Sequence, residues 1–184
     1  MPRILVLIFI SLSLLLSACS NQVATAKYRS GFNFSSLNHY STYDRNSPFS
    51  EFQNISDTTR NSIEIAIEQI LDKKGYKYKK VDVADVVVTY HLIDHNYKDL
   101  KKYNKGIRYC HWCLKSVSEE INDRHWQMNP GSLIIDLVNT QNNRSVWRSV
   151  YPLKIKVKDS SVDIQEKIVL AIRSMMAQLP INMT

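Results

Sequence analysis

Ala84-Asp85-Val86-Val87-Val88-Thr89-Tyr90-His91-Leu92-Ile93 decides how the rest of this 184-residue chain is read. β-Branched and aromatic side chains dominate it, as on a packed, pleated surface. Apolar residues occupy both alternating sets, so the segment reads as a strand covered on both faces and central in a sheet. On its N-terminal side, Ile63, Ala66, Ile67, Ile70 and Leu71 fall at i, i+3, i+4, i+7 and i+8, which predicts an amphipathic helix. Ile65 lies off that stripe and is expected to widen it. Ser56 or Asp57 is positioned to cap this helix, Lys73 and Lys74 suit the negative end of its dipole, and Gly75 supplies a left-handed stop.

Further out, residues 28–34 and 38–43 are rich in Tyr, Phe and Thr and read as one or two strands, with loop at 44–56. Beyond the central strand, residues 94–130 are polar and irregular. This is too long for an ordinary connection, so it reads as a functional insertion, a flap, or a segment with secondary structure of its own. Residues 132–138 and 145–157 read as two strands joined by the polar run 139–144, an antiparallel hairpin. Trp147 is expected to be buried there, and Asp136 to face solvent between apolar neighbours. Ile164, Ile168, Ala171, Ile172, Met175 and Leu179 then keep helical spacing behind a Ser160 or Ser161 cap, up to Pro180. Met175 and Met176 read as core filling. Two amphipathic helices and one sheet predict an α+β fold: a two-layer α/β sandwich with a mixed, mostly antiparallel sheet and both helices on one face.

The N-terminus carries a second message. Arg3 precedes an apolar run from Ile4 to Leu16, shorter than a bilayer span, and then Leu16-Ser17-Ala18-Cys19. This reads as a secretory signal peptide. Its ending resembles a bacterial lipobox, which implies diacylglycerol on the Cys19 thiol, cleavage before it, and a third acyl chain on the new amine. Residues 1–18 would be removed, 19–27 would form a lipidated, small and polar tether, and 28–184 a single domain with the insertion at about 94–130. Ser20 stands where an Asp would resemble an inner-membrane retention signal, so the expected location is the periplasmic face of the outer membrane. The bilayer is then a partner through Cys19.

The chain holds 24 Lys and Arg, of which only Arg3 falls in residues 1–18, against 17 Asp and Glu. A basic exported domain suits an envelope protein or an anionic envelope polymer. Nucleic acid is not a sensible partner in that compartment.

Several segments together resemble one family. Phe34-Ser35-Ser36-Leu37-Asn38-His39-Tyr40-Ser41-Thr42-Tyr43 is similar to its "FS.y.TY" motif, and Ile63 through Gly75-Tyr76 to its "I..AI...L..KGY" helix. Ala84 to Tyr90 resembles "aDllV.Y", Gly131 to Leu137 "GtL.idl", and Val146-Trp147-Arg148 "lvWrg". The closing helix to Leu179-Pro180 fits "i..il..fP". This is the bacterial lipoprotein family called domain of unknown function 4136. The resemblance spans most of residues 32–180, departing at Tyr43-Asp44 and throughout 94–130. It implies an envelope lipoprotein with an α/β fold and assigns no catalytic residues.

Three sets of residues invite chemistry. Cys110-His111-Trp112-Cys113 is a Cys-x-x-Cys pair, open to a structural disulfide, a redox couple or half a metal site. With Cys19 acylated, Cys110 and Cys113 remain as an even pair in an oxidising compartment, and a structural disulfide is the expectation. The metal alternative needs His91, His95 or His125 as further ligands. Third, Tyr97, Tyr103, Tyr109, Trp112 and Trp126 interleave with Lys101, Lys102 and Arg108, a composition suited to glycan, lipid-headgroup or protein contacts. No Gly-x-Ser-x-Gly, His-Glu-x-x-His or phosphate loop is present, and four glycines leave little for a Gly-rich cofactor cradle. The expectation is a non-enzymatic binding or accessory module of the cell envelope without cofactor. The alternative is a periplasmic thiol–disulfide or metal-binding protein centred on Cys110 and Cys113.

Overall fold

A computed structural model describes residues 23–45, 55–95, 97–117 and 128–180. Seven strands and three α-helices are formed by these residues: β1 (Thr25–Tyr28), β2 (His39–Thr42), α1 (Asp57–Lys73), β3 (Lys77–Tyr78), β4 (Val86–Leu92), α2 (Tyr97–Gly106), β5 (Lys115–Ser116), β6 (Ser132–Asn139), β7 (Arg144–Pro152) and α3 (Ser161–Met176). The strands form one sheet in the order β3-β2-β4-β6-β7-β1-β5. β2 runs parallel to β3 and to β4; every other pairing is antiparallel. The sheet is thus mixed and mostly antiparallel, and β4 lies inside it between β2 and β6.

The helix ends follow from their sequences. Ser56 Oγ accepts the Thr59 amide at 3.2 Å and starts α1; Gly75, at φ +92°, carries the chain out of its last turn. A reciprocal capping box starts α3: Ser160 Oγ accepts the Asp163 amide, and the Asp163 carboxylate accepts the Ser160 amide at 2.8 Å. Helix α3 ends at Met176, three residues before Leu179, through tighter turn bonds to Met175 and Met176.

Helices α1 and α3 pack together on one face of the sheet. Ile63, Ile67 and Leu71 of α1 and Ile168, Ile172, Met175 and Met176 of α3 meet Val88 and Tyr90 of β4, Leu133, Ile135 and Leu137 of β6, and Trp147 of β7. Trp147 is fully buried, and its indole N–H donates to the Gln178 carbonyl at 3.2 Å. Ile65 does not widen the stripe of α1; it is 48 % exposed. Asp85 bonds nearby amides, accepting from Asn38 and His39 at 2.9 and 2.8 Å.

Other boundaries differ from the sequence reading. The first strand is Thr25–Tyr28, so Thr25, Ala26 and Lys27 belong to the sheet and not to a tether. Ala26 faces the core, and its small side chain left no apolar signal. Strand β7 stops at Pro152, which has no amide hydrogen to continue the ladder. The larger difference is residues 94–130, which contain helix α2. Leu100, Tyr103 and Ile107 pack with Ile93, Ile134, Val138 and Val150 on the opposite face of the sheet. The α+β sandwich therefore has its two long helices on one face, as expected, and a short third helix on the other.

Candidate functional site

The face under α2 is organised by the strand register. Thr89 of β4 stands opposite Asp136 of β6, Asp136 opposite Arg148 of β7, Arg148 opposite Lys27 of β1, and Lys27 opposite Ser116 of β5. Directly paired residues share a face, so these five form a polar row across five strands. Asp136 and Arg148 are completely buried, and Arg148 Nε donates to both carboxylate oxygens at 3.0 Å. The carboxylate also accepts Ser145 Oγ at 2.5 Å and Tyr103 Oη at 2.9 Å. Asp136 therefore does not face solvent: its neighbours Ile134 and Val138 are themselves buried by α2, and a carboxylate between them needs bonded partners.

Helix α2 and the turn after it close this row. Tyr103 Oη lies 2.8 Å from Thr89 Oγ1, Asn104 Oδ1 accepts Arg148 at 2.7 Å, and the Arg148 guanidinium lies 3.5 Å from the Tyr109 ring centroid. Burial disfavours charge on Arg148, yet the Asp136 carboxylate together with Tyr103 and Tyr109 outweighs it and holds the guanidinium pKa up. Burial, reinforced by Asp136, raises the Tyr103 phenol well above its usual range, so it stays a neutral donor. His91 stacks on Tyr103 at 4.9 Å, and neither of its ring nitrogens has a hydrogen-bond partner among the described residues. Burial, aided by Arg148, pushes its pKa down to about 4. With every oxygen of Asp136 engaged and no solvent access, this cluster is an anchor for α2.

Beside the anchor, where α2 ends, a groove of about 770 Å³ opens on the same face. Its floor is the cross-strand row Ser41, Val87 and Val138, flanked by Thr89 and Ile107. Tyr78, Lys80, Val81, Asp82, Asp44 and Asn143 form its rim. A floor of valine, isoleucine and hydroxyl side chains under a mixed polar rim suits a ligand with both apolar and hydrogen-bonding parts.

The aromatic and cationic residues singled out in the sequence divide into two groups. Tyr103 and Tyr109 turn inward onto the Asp136–Arg148 pair. Tyr97, Lys101, Lys102, Arg108 and Trp112 are exposed, Trp112 at 91 %. Trp126, His125 and Cys19 lie outside the described residues. Cys110 and Cys113 are joined, their sulfurs 2.00 Å apart across the three-residue 3-10 turn His111–Cys113. The structure does not assemble the metal alternative: His91 is buried under α2, His95 is exposed, and no group of three His, Cys, Asp or Glu forms among the described residues. Sequence reasoning missed Asp136, Arg148 and the groove floor. The signal for the first two was present, since an Asp inside the continuous apolar run 132–138 has to be buried and paired.

The fold and site define a mixed α+β sandwich carrying a buried ionic anchor and an open groove on the face away from its two long helices. The model of the family described as "Domain of unknown function (DUF4136)" matches residues 24–181, and the chain belongs to that family. Its structure is similar to that of a DUF4136 family protein from Bacteroides thetaiotaomicron, at 16% identity, over 88% of this chain and 97% of that one, with a TM-score of 0.56. Weaker likenesses are a PDZ domain protein from Parabacteroides distasonis (13% identity, 91% of this chain, 39% of that chain, TM-score 0.47) and a PelC dodecamer from Paraburkholderia phytofirmans (9% identity, 85% and 95%, TM-score 0.40). The first bears on the fold alone, and the other two add nothing to it. No curated protein matches the chain.

Proposed function

We propose that this chain is a non-enzymatic binding module, held by lipid on Cys19 to the periplasmic face of the bacterial outer membrane. The observation that carries the binding reading is the groove beside the end of α2, lined at its base by Ser41, Val87 and Val138 and at its rim by polar side chains. Support for the anchor comes from the sequence: Leu16-Ser17-Ala18-Cys19 ends an export signal only six residues before β1 begins at Thr25. A thiol–disulfide reading has less to rest on. Cys110 is followed by a 3-10 turn of three residues, not by the helix whose N-terminus would stabilise a reactive thiolate.

Two measurements test the proposal. Mass spectrometry of protein purified from membranes is expected to find acyl chains on Cys19, and Cys19→Ala to release the chain into the soluble periplasmic fraction. Crosslinking in intact cells is expected to capture one reproducible envelope component, lost on Val87→Glu. An unmodified Cys19 refutes the anchor; capture that ignores Val87→Glu refutes the groove.

A further inference from the structure

Trp112 is the most exposed tryptophan of the described residues, at 91 %, and the Cys110–Cys113 bond fixes the turn that carries it. An indole this exposed, edge-on to His111 at 5.1 Å on a rigid turn, is a poor choice for a surface that meets only water. Indole favours the boundary between hydrocarbon and headgroups, where the ring is covered and its N–H stays wet. The charge around it points the same way. Residues 97–117 hold Lys98, Lys101, Lys102, Lys105, Arg108 and Lys115 against Asp99 alone, with Glu119 and Glu120 following outside the described residues. Lys102 shares Asp99 at 3.6 Å, and the other five cations outnumber every carboxylate of the segment. Because α2 turns Leu100 and Tyr103 inward, Lys98, Lys101, Lys102 and Lys105 stand on its outer side.

We infer that the outer side of α2 and the Trp112 turn form a docking face for an anionic phospholipid bilayer, the same bilayer that holds Cys19. This rests on the lipid anchor proposed above. Chain geometry allows it: β1 pairs directly with β5, Tyr28 opposite Lys115, so the anchored strand is the neighbour of the strand that follows the Trp112 turn. The tether leaves β1 at Thr25, the end away from Lys115, so it must run back about 10 Å to come level with Tyr28 and Lys115; Cys19 to Thr25 spans at most about 20 Å and covers that distance. That reach permits the acyl chains and Trp112 to meet one membrane surface together. Cations near an anionic leaflet gain affinity that falls with salt.

The test uses two forms of the mature chain. Acylated protein is placed in phosphatidylcholine vesicles with or without phosphatidylglycerol, with lipids brominated near the headgroup as quenchers. The account expects the tryptophan emission to shift to shorter wavelength and to be quenched only in the anionic vesicles, and both effects to be lost in Trp112→Phe. The Cys19→Ser chain, which carries no lipid, should still sediment with anionic vesicles. Lys101→Gln with Lys102→Gln should weaken that binding by about 25-fold, about fivefold for each lysine. Acylated protein whose Trp112 stays unquenched in anionic vesicles overturns docking and leaves the anchor intact, and the face would then be open to a protein partner. Cys19→Ser chain that sediments, together with a native Cys19 found unmodified, keeps the face and overturns the anchor.

Discussion

Arg148 and Asp136 meet across the β6–β7 pair at 3.0 Å with neither side chain exposed, and helix α2 is fastened over the sheet through this pair. Breaking a buried ion pair from one side strands the other charge, at about 3–5 kcal/mol, whereas replacing both partners with apolar residues of similar volume is often neutral. Asp136→Leu alone should therefore lower stability in urea unfolding by about 3–5 kcal/mol. Asp136→Leu with Arg148→Met should recover most of that loss. A double variant as unstable as the single one would show that the pair's identity matters beyond its charge balance.

Tyr103 contributes a hydroxyl that links Asp136 on β6 to Thr89 on β4. Tyr103→Phe keeps the ring stacked on His91 and removes both bonds. The expected cost is about 1–3 kcal/mol, because buried polar partners are left behind. Amide exchange should rise in α2 before it rises in α1 or α3, since Tyr103 holds only α2 to the sheet.

His91 gives stability a pH dependence of determined sign. Its folded pKa, about 4, lies below the unfolded value near 6.5. Between these values the unfolded chain binds the proton and the folded chain does not, so stability falls as pH drops through this window. The full loss is on the order of 3 kcal/mol and is complete below pH 4. Arg148 opposes protonation, while Asp94, Asp99 and Asp136 favour it. His91→Phe should flatten the difference between stabilities measured at pH 6.5 and pH 4. A slope unchanged by the substitution would assign it to other groups.

Cys110 and Cys113 are three positions apart, so their bond removes little freedom from the unfolded chain. Changing both to Ser should lower stability by roughly 2 kcal/mol or less. Under the binding-module account the same double variant keeps its envelope partner in crosslinking. Loss of the partner in a folded, stable variant would favour a thiol function.

What the sequence disclosed depended on how strongly each element carried its own period. Helix α1 announced itself through Ile63, Ala66, Ile67 and Leu71 with Ser56 and Gly75 at its ends, and β4 through its unbroken β-branched run. Helix α2 hid because its buried residues, Leu100 and Tyr103, with Ile107 just past its end, lie among four lysines, and spacing at i, i+3 and i+7 is sparse when most of a helix faces water. Strand β1 hid because Ala26, and Ala24 just before the strand, fill the core without bulk. The site was less legible than the fold. The groove floor needs Ser41, Val87 and Val138 in register across three strands, and register between distant segments is not written in either one.

The central claim is that the groove binds a component of the envelope, and a photoreactive residue at its rim tests it most directly. Val81 lines the groove and is 56 % exposed; Val162, on α3, is 67 % exposed and lies away from it. With the crosslinker at Val81, cells should yield one discrete adduct that Val87→Glu abolishes, and the crosslinker at Val162 should yield none. The same adducts from both positions, or none from Val81 in chain shown to be exported and folded, would contradict the account.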